Sequence, residues 1–89
     1  MSQVNVDAEQ VRKFVTALKL YAENTSEILG NIRVIYTQLD NEWDDDSKNE
    51  YIDSINKTCA VLNNVSESLT ETSYDLTELA SIIERYANE

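Results

Sequence analysis

The sequence has no proline, no histidine, one glycine, one cysteine and one tryptophan. Proline and glycine are the residues that interrupt helices, so a chain almost without them suits a few long helices rather than many short elements. Without histidine, the most versatile general base and metal ligand is missing. The lone thiol, Cys59, permits no intrachain disulfide and no cysteine-based metal site. It reads as a small core residue, with a disulfide across a dimer as the other reading. No run of about 18 apolar residues occurs, so direct membrane insertion is not expected. The opening MSQVNVDAEQ lacks a basic region followed by an apolar stretch, so no classical signal peptide is expected either. Export, if it occurs, would use a route without a cleaved leader.

Positive charge is scarce as well. Seventeen acids against seven bases give a formal net charge of −10 over 89 residues. Such a surface repels phosphate backbones and anionic bilayers, so a nucleic-acid partner is not expected. The length fits one domain, and a marginal one if it stands alone.

What the chain does have is period. Asp7 can cap a first helix, Gln10 stands at the capping-box position, and Val6 can staple onto Val11. From there Val11, Leu18, Thr25, Ile32 and Leu39 repeat every seven residues. Phe14, Tyr21, Ile28 and Ile35 flank this stripe on one side, and Val15, Ala22, Leu29 and Tyr36 on the other; together they make a core-facing arc about 100° wide. The pattern stops in LDNEWDDDSKNEY, where Trp43 sits among acids, and resumes at Tyr51. Ser47 and Glu50 form a second capping box, with Asp44 to Asp46 at the helix end that favours negative charge. Ile55, Leu62, Leu69, Leu76 and Ile83 are the second stripe. Its flanks are Tyr51, Thr58, Val65, Thr72, Leu79 and Tyr86 on one side, and the smaller Ile52, Cys59, Ser66, Ser73, Ala80 and Ala87 on the other.

The fold expected is an all-α antiparallel two-helix hairpin, with helix one over 8–40, a turn over 41–46 and helix two over 47–86. At a hairpin tip, Trp43 can fold back over the last turn of helix one. Two long rods meeting along one seam leave much of each apolar face wet. The expectation is therefore a dimer forming a four-helix bundle, its core and interface built on Leu18, Leu29, Ile32, Ile55, Leu62, Leu69, Leu76 and Ile83.

Chemistry of other kinds finds no foothold. The acid cluster never places glycine at the sixth position of a calcium loop, and no specific cation site is expected. Cys59 has no evident base and a two-helix rod encloses no pocket, so neither catalysis nor a cofactor is expected. The Asn-X-Ser/Thr triplets at Asn24, Asn56 and Asn64 read as chance.

A start like VNVDAEQVR, a heptad helix, a central tip tryptophan, an aromatic eight residues on at Tyr51 and a second heptad helix together resemble the WXG family. These are the early-secreted-antigen-like proteins of type VII secretion. The resemblance spans essentially the whole chain. It departs at the turn, where Trp43-Asp44-Asp45 stands in place of Trp-X-Gly: either Asp45 adopts the backbone that glycine favours, or the turn is built differently. The resemblance implies a protein made in the cytoplasm and exported folded. It also implies a homodimer, or a heterodimer with a similar small helical protein or a larger secreted effector, recognised by a secretion ATPase. It further implies a Tyr-X-X-X-Asp/Glu export signal, whose spacing Tyr74 and Glu78 match, both on the outer face of helix two. A structural subunit of another secretion apparatus, or an acidic inhibitor of a basic target, are the alternatives.

Overall fold

The computed structural model describes residues 6–88. Two helices, α1 (Ala8–Glu42) and α2 (Lys48–Asn88), pack against each other as an all-α hairpin measuring 68 × 22 × 14 Å. Three cross-links give the antiparallel register: Arg12 to Glu84 at 2.8 Å, the Ser66 hydroxyl to the Ala22 carbonyl at 3.1 Å, and Lys48 to Asp40. Both helices run two residues beyond the C-terminal limits that periodicity suggests. No helix among the described residues is long and apolar enough to cross a membrane.

Asp7 starts α1 as expected. Its backbone is extended, its carboxylate accepts from the Glu9 N–H at 3.0 Å, and its carbonyl accepts from the Val11 N–H at 3.1 Å. Val6, expected to staple onto Val11, stays about half exposed. At the other end Trp43 turns to extended backbone, its N–H still bonded to the Leu39 carbonyl at 2.9 Å.

Only one flank of each sequence stripe enters the seam. In α1 the buried residues are Ala8, Val11, Val15, Leu18, Ala22 and Leu29. In α2 they are Ser73 and Ala80, both fully shielded from solvent. The small row Cys59, Ser66, Ser73 and Ala80 is thus the intrachain contact, and it decides the packing: small side chains let two helix backbones approach closely, so α1 settles against that edge of α2. The other flanks, headed by Phe14 and Tyr51, are left outside. Cys59 is half-buried and lines a shallow groove with Arg33, Tyr36 and Thr37 of α1.

Packing is uneven along the rod. A cluster of Ala8, Val11, Val15 and Ala80, with Leu76 and Ile83 against it, closes the open end. Between Leu29 and Ser73 no residue is buried. Toward the tip, Ile32, Tyr36, Ile52, Ile55, Cys59 and Leu62 are only half covered.

Candidate interaction face

Each exposed apolar row stands one position before a seam row: Phe14 before Val15, Tyr21 before Ala22, Ile28 before Leu29; Val65 before Ser66, Leu79 before Ala80. Reversing a helix reverses its sense of rotation, so equivalent rows of two antiparallel helices lie on the same side of the pair. Phe14, Tyr21, Ile28 and Ile35 therefore share one face with Tyr51, Val65, Leu79 and Tyr86. All of them are exposed, Phe14 at 55% and Ile35 at 63%.

The next rows out complete this face with uncharged side chains. On α1 they are Gln10, Ala17, Asn24, Asn31 and Gln38; on α2, Ser54, Val61, Ser68 and Ile82, with Asp75 the single charge. On a chain of net charge −10 that is a pronounced segregation.

The opposite face is polar and carries the ionic cross-links. Arg12 grips Glu84 through two nitrogens, at 2.8 and 3.1 Å. The shared hydrogen bond raises the guanidinium's affinity for its proton and holds the Glu84 carboxyl below its ordinary range. Lys48 is raised likewise by its bond to Asp40. Both pairs are exposed enough that solvent screens them, so they set register more than stability.

The tip is built on one carboxylate. Asp45 Oδ1 accepts from the Ser47 N–H at 2.9 Å, from the Trp43 indole N–H at 3.1 Å, and from the Ser47 hydroxyl. Bonds from Ser47, then from the indole, hold the Asp45 carboxyl below its ordinary value. No residue among those described has positive φ. Of the two turn constructions open to Trp43-Asp44-Asp45, the structure uses a side-chain cap instead of a glycine-like backbone. This also revises the second capping box: Asp45, not Ser47, caps the entry to α2, and the Ser47 hydroxyl is engaged by Asp45 and the indole instead. The Trp43 ring is half-buried. Its hydrogen bonds and its stacking partner Tyr51, with ring centroids 6.0 Å apart and planes inclined by 25°, lie ahead of it in the bend and α2.

Among the residues expected at the dimer and core interface, Leu18 and Leu29 are buried in the intrachain seam. Ile32, Ile55, Leu62, Leu69, Leu76 and Ile83 are half-buried along it. Tyr74 is 66% exposed and Glu78 is exposed too. Tyr74 borders a shallow polar groove with Lys19, Glu23 and Thr70, away from the uncharged face. The face itself escaped the apolar periodicity, which grouped both flanks with the core; sorting charge by heptad row would have found it.

No family model, curated protein or solved structure matches the chain.

Proposed function

We propose that this chain is a helix–helix association module without catalysis, working as a small WXG-type hairpin in type VII secretion. One observation carries the association reading: an apolar, nearly charge-free face running the length of a strongly acidic rod. Large exposed apolar patches on soluble proteins mark contact surfaces, and a two-helix layer gains a second covered side only from another layer. Its partner is a second helical hairpin, from an identical chain, a similar small protein or a larger effector, completing a four-helix bundle. The resemblance in length, central tryptophan and heptad pattern supports the secretion context. In that setting Tyr74 and Glu78 are the docking residues for the secretion ATPase, and their exposure outside the uncharged face leaves them accessible when that face is covered.

Sedimentation at several concentrations tests the association. Ile28→Asp puts a charge in the centre of the face but outside the intrachain seam, and is expected to abolish association while helicity is kept. Unchanged association would reject this face. For secretion, the protein is expected in the culture medium only when the secretion ATPase is intact, and Tyr74→Ala to block export without unfolding; normal export of that variant rejects the signal.

A further inference from the structure

We infer that the face opposite the uncharged one carries a second docking site, a polar groove between the helices that takes an extended, acidic segment of another protein.

The site begins with an imbalance in one heptad row. Arg12, Lys19, Ser26, Arg33 and Asp40 follow one another along α1 at seven-residue spacing. Both ends of this row are tied across to α2, Arg12 by Glu84 and Asp40 by Lys48. The remaining ion pair among the described residues joins Lys13 to Glu9, so Lys19 and Arg33 have no carboxylate partner there. The chain has seventeen acids, yet it leaves these two central cations unanswered.

Each of them lines a hollow between the helices. Lys19 stands with Ser26, Thr70 and Tyr74 around a groove of about 360 Å³, where Glu23 is the only acid. Arg33 stands with Thr37, Asn56 and Asn63 around one of about 540 Å³, where it is the only charged side chain. In the register set by Ser66 on Ala22 and Lys48 on Asp40, Asn63 is level with residue 25 and Asn56 with residue 32. The two hollows therefore run end to end. The acids of the tip do not repel a negative guest here. Asp44 lies eighteen residues beyond Ser26, about 27 Å along the rod, and the screening length at ordinary salt is about 10 Å.

The lining decides the form of the guest. A helix keeps its backbone hydrogen bonds to itself and packs through an apolar stripe, whereas this groove offers hydroxyls and carboxamides. An extended chain brings free N–H and C=O groups that need such partners. Asn56 and Asn63 each hold a donor and an acceptor; Asn63 gives one N–H to Glu67 at 3.2 Å and keeps its oxygen and second N–H. Lys19 and Arg33 are fourteen residues apart, about 21 Å along α1. At about 3.4 Å per residue, an extended chain covers that span in about six residues. Six is an even step, so both acids point to the same edge of the strand. The guest is thus a strand with acids at i and i+6, its carboxylates on Lys19 and Arg33 and its backbone along Asn56 and Asn63. Because this groove and the uncharged face lie on opposite sides, one hairpin can hold two partners at once.

The probe is a blocked peptide of serine and alanine with glutamates at i and i+6, titrated into the isotopically labelled full chain while backbone amide shifts are followed. Shifts are expected along the groove, over residues 19–37 and 56–74. Lys19→Glu with Arg33→Glu is expected to weaken binding about 30-fold, and replacing the peptide's glutamates by lysines to restore it. Lys57→Glu with Arg85→Glu changes the net charge equally on the outer surface of α2 and is expected to have a far smaller effect. All four positions are exposed, so helicity should be kept in both variants. Moving the second glutamate to i+5, on the other edge of the strand, is expected to weaken binding as well. Equal losses from the two pairs of reversals overturn the groove as the seat. Equal binding of the i+5 peptide overturns the extended register, and a peptide that causes no shifts at millimolar concentration overturns the site.

Discussion

Replacing Ala80 with leucine tests whether the small row of α2 sets the approach of the two helices. Ala80 is fully shielded and lies against Ala8, Val11 and Val15, with Leu76 and Ile83 packed around it. Three added carbons have no free volume to enter, so the helices must part or the side chain must leave its preferred rotamers. Overpacking of this kind costs about 1–3 kcal/mol. In domains of this size each kcal/mol moves the melting midpoint by about 4–8 °C, so a cost near 2 kcal/mol lowers Tm by about 8–16 °C. Thermal melts followed by far-UV circular dichroism at one fixed protein concentration measure this, because self-association would otherwise shift the midpoint. Ala60→Leu adds the same atoms at an exposed position of α2 and is expected to change stability by no more than about 0.5 kcal/mol. If the two variants melt together, close approach at Ala80 does not govern the hairpin and the packing argument fails.

Three further outcomes follow from the same geometry. Gly30 sits inside α1 with open space where a Cβ would go, so Gly30→Ala is expected to stabilise by about 0.5–1 kcal/mol; a lower melting midpoint would contradict the open environment. The Asp45 carboxyl is held below its ordinary value by Ser47 and then by the Trp43 indole. Its contribution is therefore present above the unfolded pKa of about 4 and lost as pH falls through the lower folded value. Tryptophan fluorescence should stay constant from neutral down to about pH 4 and change only below, and Asp45→Asn should remove that acid transition; a change centred near neutrality would disprove the lock. The Arg12–Glu84 pair is exposed, so Arg12→Met is expected to alter stability little, and whatever difference exists should shrink as salt is added; a large, salt-independent loss would mean the pair is a structural pin.

Most of the fold is legible in residue spacing. The stripes Val11–Leu18–Ile32 and Ile55–Leu62–Leu69–Leu76–Ile83, with the break around Trp43, suffice for two helices and one bend. Less legible is which edge of each apolar arc meets the other helix. Hydrophobicity ranks Tyr51, Val65 and Leu79 above Ser66, Ser73 and Ala80, yet the small residues win the seam because backbones approach over them. The tip is obscure for a related reason. Ser47 fits a capping motif, but a carboxylate two residues earlier accepts from the N–H of Ser47 itself, and from the indole besides. A one-dimensional motif cannot weigh two caps competing for one helix end. The uncharged face lies between these cases: its residues are plain in the sequence, but only charge sorted by helical row reveals them.

The tightest packing in this hairpin joins parts of the chain far apart in sequence: Ala8 lies against Ala80, while Arg12 meets Glu84 across 72 positions. Contacts close to the bend, which could form early and cheaply, bury the least. A chain arranged this way has little to gain from zipping outward from its turn. It must first close a long loop, and closure of that kind slows folding. During synthesis α1 would emerge with its apolar stripe uncovered and wait until residues 73–83 had been made. The order of translation thus leaves this molecule adhesive for most of its own manufacture.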